Sequence, residues 1–348
     1  MTSEPDGIAV TEVHLVGSVP MESEEAVFDL VGATLGRCCR RIPDGETGGR
    51  RNWIGWQLDA FQRQGALVQK SQKDRDYQLH PPFTFVAGKG PEDLDFGELG
   101  FARHALASYP KFLDRLRQGT FREDARFLVA LPTPFAPVYS FTAYAHQQEI
   151  LPVYEAAILG EIDRIADAIP AEHLAIQWDV ATEMSIFEQV YPVAFDDPWN
   201  FLLDRLVYLG TRVPAQIDLG YHLCYGSMNN RHWKEPDDLA MCVVVANALA
   251  AALTRPIDFL HMPVPVDRSD SAYFEPLGDL RLSEKTMLFL GLVHDSDAEA
   301  GNRARMRAAA EQLAKFGIAT ECGLGRRDTA DMPDLMKLQA QLTAPPTS

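Results

Sequence analysis

The sequence predicts an α/β protein, a (β/α)8 TIM barrel with an insertion after the second strand, and three observations carry that prediction. Short β-rich runs recur eight times along the 348 residues. Amphipathic stretches fill most of the gaps between them. The runs themselves are nearly continuously apolar, as the strands of a parallel sheet covered by helices must be. Eight such units favour a closed barrel over an open doubly wound sheet. With 46% hydrophobic residues, a chain of this length can bury a large core, and 1–348 reads as a single barrel domain.

In chain order the runs are 12–18 (EVHLVGS), 37–46 (RCCRRIPDGE), 126–133 (RFLVALPT), 173–182 (HLAIQWDVAT), 214–226 (PAQIDLGYHLCYG), 256–264 (PIDFLHMPV), 286–295 (TMLFLGLVHD) and 318–325 (IATECGLG). Between the third and fourth, 147–169 places Ile150, Tyr154, Ile158, Ile162 and Ile165 at three- and four-residue intervals, the period of one helix face. Stretches 235–254 and 300–316 read as further helices. The most apolar segment, 241–254, is shorter than the roughly 20 residues that cross a bilayer, so it is expected to be a buried helix and no membrane is implied. Segment 57–124 breaks the rhythm. It is too long for one crossover helix and holds the turn-rich LHPPFTFVAGKGPEDLDFGELG (79–100), so it is read as an insertion at the substrate mouth that carries a small hairpin. The tail, 342–348, is expected to fray.

The net charge of −17 argues against a nucleic-acid binder or a protein seated on anionic lipid, since both need clustered Lys and Arg. An anionic substrate would need local cations: Arg50, Arg51, Arg326 or Arg327. Arginines after barrel strands more often cap helices or pair on the surface. The N-terminus is acidic, without the basic and apolar regions of a signal peptide. Five cysteines, at 38, 39, 224, 242 and 322, form no disulfide framework, so a reducing cytoplasm is expected. The adjacent Cys38 and Cys39 are placed within the second strand, one facing inward and one toward a helix.

In such barrels the catalytic groups stand at the C-terminal ends of the strands. Here those ends carry Ser18, Asp44 with Glu46, Asp179, His222 with Cys224, His261, His294 with Asp295, and Cys322. Residues i and i+2 of an extended segment face the same side, so His222 and Cys224 can reach one metal, and Cys322 can complete the site across the mouth. An imidazole with two thiolates suits zinc, with a fourth position open to substrate. The alternative is a satisfied core histidine with two cysteines acting as small buried apolar residues. Spacing alone does not decide between them.

Five segments in order, from 12 to 327, resemble the catalytic C-terminal barrel of cobalamin-independent methionine synthases, within the uroporphyrinogen decarboxylase/methionine synthase superfamily. YHLCYGS (221–227) resembles that family's His-x-Cys zinc motif, and ECGLGRR (321–327) resembles the motif that supplies its last zinc-binding cysteine. HLVGSVP (14–20) is similar to the first strand, whose Gly-Ser holds an amino-acid carboxylate. DGETGGRRNWI (44–54) is similar to the segment whose glutamate binds the amino group, and IQWDVATE (176–183) falls where the family has Asp-Glu-Pro-Ala. The resemblance implies zinc at His222, Cys224 and Cys322, with Gly17, Ser18, Asp44, Glu46 and Asp179 around the substrate. The family's fourth zinc ligand is a glutamate on the sixth strand. This sequence offers His261 there, either as a ligand or as an acid or base toward substrate. Where the family stacks its folate on a tryptophan, this sequence has Tyr139.

What the resemblance implies is a zinc-dependent thiol alkyltransferase, most simply a methionine-synthase-like methyltransferase. Its partners would be a small thiol such as homocysteine and an alkyl donor, which for a single barrel could be a corrinoid or a corrinoid protein. An oligomer is compatible with all of this. Zinc coordination would deprotonate the substrate thiol and keep it nucleophilic. His294 and Asp295 would move a proton or form a simple polar pair. Trp53, Trp56 and Trp178 are core or pocket walls; if the first two line the mouth, the substrate can be bulkier than homocysteine. Three other readings stay open: an epoxide-opening thiol transferase of the coenzyme M type, a metal-free decarboxylase or lyase, and a ligand-binding protein on the same barrel.

Overall fold

The computed structural model describes residues 9–74, 78, 80–226 and 231–343. The first eight residues, most of the tail (344–348) and Ser227 of the His-x-Cys segment lie outside the described residues, so the readings of the N-terminus and the fraying tail concern residues outside this description. All eight predicted strands are present: β1 (Ala9–His14), β2 (Arg41–Pro43), β5 (Arg126–Pro132), β6 (Leu174–Val180), β7 (Asp218–Leu223), β8 (Phe259–Pro263), β9 (Met287–Val293) and β10 (Lys315–Thr320). They form one parallel sheet in the order β1-β10-β9-β8-β7-β6-β5-β2. β1 and β2, the two ends of that order, meet through the single bridges Val13↔Cys39 and Ser18↔Gly45, which bring the barrel close to full closure.

Helices cover the outside. Gln147–Ala168 buries Ile150, Tyr154, Ile158, Ile162 and Ile165, the predicted stripe; burying each aliphatic side chain contributes about 1.5–3 kcal/mol before the entropy of ordering it is counted. The two other predicted helices appear as Ala240–Ala252 and Ala298–Ala310. Between β8 and β9 the chain spends its crossover on a four-residue helix, Ser271–Phe274, and a 3-10 turn, Glu275–Asp279. Among the described residues no helix is long and apolar enough to cross a membrane.

The segment read as one insertion proves to be two things. Its first part carries the expected hairpin, β3 (Leu67–Gln69) against β4 (Phe83–Phe85), antiparallel. Its last part, Phe101–Arg117, is the crossover helix of the barrel itself. That helix begins without a side-chain cap of its own; the buried Glu161 supplies one, accepting from the N–H groups of Leu99 (2.6 Å), Gly100 (3.1 Å) and Ala102 (2.5 Å). A carboxylate there satisfies the orphan donors of the first turn and ties the insertion to Gln147–Ala168.

The barrel interior has its own small apolar cluster, Leu128, Ala175, Phe259 and Phe289, separate from the larger core between sheet and helices. Below it Arg41, almost wholly buried, lies over the Phe259 ring and donates to Asp218 at 3.1 and 2.8 Å. Cys38 and Cys39 do not lie within the second strand as expected. They are buried in the turn that precedes β2, and Cys39 supplies the bridge to Val13.

Candidate functional site

Three adjacent strands set the floor of the site. Parallel register pairs Asp179 of β6 with His222 of β7, and His222 with His261 of β8, so three ionisable side chains stand side by side at one level. Cys224 follows directly after β7, its N–H still donating to Val180 at 3.1 Å. Cys322 arrives from the turn after β10. The two sulfurs are 3.6 Å apart, and Cys322 Sγ is 3.8 Å from His222 Nε2. All three ligand atoms lie within 4.8 Å of one another.

These distances can be tested against zinc. Bonds of about 2.3 Å to sulfur and about 2.05 Å to nitrogen, arranged tetrahedrally, give an S–S edge of about 3.8 Å and an S–N edge of about 3.6 Å. The two edges that meet at Cys322 match within about 0.2 Å, and the third, between Cys224 and His222, lies within 4.8 Å, so the donor set suits the ion and closing that last edge would complete its coordination. The hydrogen bond to Cys322 and then burial hold the Cys224 thiol well above its usual pKa. For His222, burial opposes the charged form, but Cys322 beside it raises the pKa. A cation among them would remove the conflict.

His261 is not part of this triad. Its Nδ1 lies 2.6 Å from Nδ1 of His222, on the side away from the sulfurs, and its Nε2 lies 3.1 Å from the Thr320 carbonyl. Burial, then the nearby His222 and His14, hold its pKa well below the usual value.

Above the triad opens a cavity of about 1190 Å³, its mouth included, lined among others by Gly17, Ser18, Glu46, Trp53, Tyr139 and Asp179. Asp179 accepts from Gln177 Nε2 (2.8 Å) and from the indole N–H of Trp53 (3.2 Å). Burial raises its pKa to about 6, against the opposing pull of His222. Glu46 is pushed well above the carboxylate range by burial and then by the charges of Asp179 and Asp44. Ser18 Oγ accepts the Gly325 N–H at 3.1 Å, which leaves its own proton to donate into the cavity. Tyr139 lines the wall, its hydroxyl donating to the Pro192 carbonyl at 2.9 Å.

Other expected residues lie elsewhere. Asp44 does not line the main cavity, although Glu46 lines both that cavity and the smaller pocket that Asp44 faces. The strand ends at Pro43, and the chain turns through Gly45 (φ 80°) and Glu46 (φ 48°), so the two carboxylates diverge instead of lying parallel. Asp44 is bound by Arg50 (3.2 and 2.9 Å) and Ser108 (2.9 Å) and faces a second, smaller pocket. His294 is buried, its Nε2 2.8 Å from the Val264 carbonyl, and burial lowers its pKa. Asp295 is ion-paired with Arg327 at 2.5 Å, which holds it below the usual range. Neither residue lines the cavity, and the two make no bond to each other. Arg51 donates to the Gly325 carbonyl at 3.3 Å; Arg326 stands at the cavity wall. Trp56 packs on Phe101 at the smaller pocket, and Trp178 is buried.

Two residues escaped the sequence reading. His14, in the barrel interior, has Nε2 2.8 Å from Gln177 Oε1, and Gln177 in turn donates to both the Val16 carbonyl (2.7 Å) and Asp179. The available signal was a polar residue two positions before Asp179 in an otherwise apolar strand.

Fold and site together define a barrel with an imidazole and two cysteine sulfurs clustered beneath an open, acid-walled cavity. No protein-family model matches the sequence, and no curated protein matches it. Solved structures do resemble it. One is a presumed vitamin-B12-independent methionine synthase from Listeria monocytogenes, with TM-score 0.53 and 14% identity, covering 97% of this chain and 99% of that one. Another is a methyltransferase from Methanosarcina mazei, with TM-score 0.51 and 12% identity, covering 98% and 96%. At such identities the likeness is one of fold, and one fold hosts many chemistries.

Proposed function

We propose that the protein is a zinc-dependent thiol alkyltransferase, most simply a methyltransferase whose acceptor is a small amino-acid thiol such as homocysteine. The observation that carries this reading is the triad: His222 Nε2, Cys224 Sγ and Cys322 Sγ gather within 4.8 Å of one another on the floor of an open cavity. The methyl-transfer names of the two structural neighbours are in keeping with it.

Zinc held by His222, Cys224 and Cys322 would supply the charge that keeps a substrate thiol ionised and nucleophilic at neutral pH. The other residues grip and orient. An ammonium group between Glu46 and Asp179 would offset the burial, and the repulsion from Asp179 and Asp44, that hold the Glu46 pKa well above the usual carboxylate range. Ser18, with a proton to give, and the Gly17 backbone face the place of the carboxylate. Trp53 fixes Asp179 and walls the cavity from solvent. His294 and Asp295 have no part in this reading, and His261 is not among the ligands.

The test is metal content by elemental analysis of protein purified without added metal, beside a Cys224→Ser, Cys322→Ser double variant, followed by assay of methyl transfer to thiols. About one zinc per chain, lost in the double variant, supports the reading. A wild type that stays empty when zinc is supplied refutes it.

A further inference from the structure

Resting on the zinc reading above, we propose that His261 is a positioning residue: it accepts the Nδ1 proton of His222 and thereby aims the bare Nε2 at a metal held by three protein ligands, with the fourth position free. Hydrogen-bond logic leads to this. The Thr320 carbonyl can only accept, so the proton shared with His261 at 3.1 Å belongs to Nε2 of His261. A neutral imidazole carries one N–H, which leaves His261 Nδ1 as an acceptor. The partner 2.6 Å away, Nδ1 of His222, must therefore be the donor. The remaining nitrogen of His222, Nε2, is the one that faces Cys322. A second hydrogen bond that fixes the tautomer and tilt of a ligating histidine is how proteins sharpen such sites.

The surroundings hold His261 to that role. It has no exposed surface, its ring centroid is 4.7 Å from that of His222, and His14 lies 6.0 Å away on another side. Across the sheet Gly291 makes the room: a Cβ there would sit 2.7 Å from His261 Nε2. With both nitrogens engaged on the far side of His222, His261 cannot also ligate without breaking two hydrogen bonds. The centre then combines a divalent cation, two thiolates and a neutral imidazole, a neutral set that leaves a substrate thiol the fourth place.

The experiment compares His261→Asn with His261→Leu. The asparagine Oδ1 falls close to the position of Nδ1 and can accept from His222; leucine cannot. Zinc affinity is measured by competition with a chromophoric chelator, and the cobalt-substituted proteins are examined by absorption spectroscopy. The expected result is near-wild-type affinity in His261→Asn, a loss of about 10–100-fold in His261→Leu, and an unchanged tetrahedral, two-sulfur cobalt spectrum in both. Equal, severe loss in both variants, with a changed cobalt spectrum, would show that His261 is itself a ligand and overturn the proposal. Should His261→Leu misfold, nitrogen-15 NMR of histidine-labelled, zinc-loaded wild type reads the tautomers directly: a proton on Nδ1 of His222 and on Nε2 of His261 supports the proposal, and a metal-bound nitrogen on His261 sinks it. A wild type that binds no zinc at all fails the functional reading instead, so the two failures are distinguishable.

Discussion

Stripping the metal should lower the melting temperature of the wild type by an amount that can be worked out beforehand. Both thiols and the imidazole are already gathered within 4.8 Å of one another, so little of the binding energy is spent on assembling the site. At a free zinc concentration 100 times the dissociation constant, binding to the native state alone stabilises by about 2.7 kcal/mol. Unfolding entropy near the melting point is about 2.1 cal/mol/K per residue, or about 0.7 kcal/mol/K for 348 residues. The shift is therefore about 4 °C. Differential scanning calorimetry of chelator-treated protein, with and without zinc, reads it, and the Cys224→Ser, Cys322→Ser variant serves as the control. At fixed zinc the shift should grow with pH, because Cys224 begins with its thiol pKa held well above the usual value and a proton released on binding adds about 1.4 kcal/mol per pH unit. An equal shift in wild type and double variant, or one that falls as pH rises, would refute the argument.

Three further outcomes follow from the same geometry. The folded state raises the pKa of Asp179 from 3.8 to about 6, so the protonated form favours folding and its contribution is lost as pH climbs through that window. The metal-free Asp179→Asn variant should therefore gain on wild type by up to about 1.4 kcal/mol per pH unit between pH 4 and 6, as read from urea denaturation; a flat difference would count against the burial of this carboxyl. Asp218→Ala leaves Arg41 buried without its carboxylate and should destabilise by about 3–5 kcal/mol, and a loss below about 1 kcal/mol would show that the floor tolerates a lone guanidinium. Trp53→Phe keeps a ring at the mouth but removes the N–H that holds Asp179; it should raise KM for an amino-acid thiol about tenfold, the scale of a hydrogen bond to a charged group, and leave zinc content unchanged. A variant that instead loses zinc would assign Trp53 to the metal centre.

Much of the scaffold was legible because barrel strands announce themselves. MLFLGLV is apolar on both faces, and LAIQWDV is so apart from Gln177 and Asp179, a pattern that few other settings tolerate. The helix Phe101–Arg117 was hidden because Pro110 interrupts it and the turn-rich residues before it read as loop. Side-chain direction was legible only while the chain stayed extended: the i, i+2 rule held for His222 and Cys224 and failed for Asp44 and Glu46, where two left-handed residues swing the chain around. The placing of His261 behind His222 depends on strand register, and no spacing within one strand encodes the register between two.

The barrel is stitched unevenly around its circumference. β6 and β7 run beside each other through six paired positions, and two of the three proposed zinc ligands, His222 and Cys224, belong to that side, while the third, Cys322, follows β10. Ser18 and Glu46 belong to the opposite wall, where a three-residue strand and two lone bridges are all that join β1 to β2. On the proposed reading, most of the metal floor rises from long, continuously paired strands, whereas Ser18 and Glu46 flank a seam of isolated bridges, so one amino-acid thiol would be exchanged for another by resetting that seam while leaving the metal floor untouched.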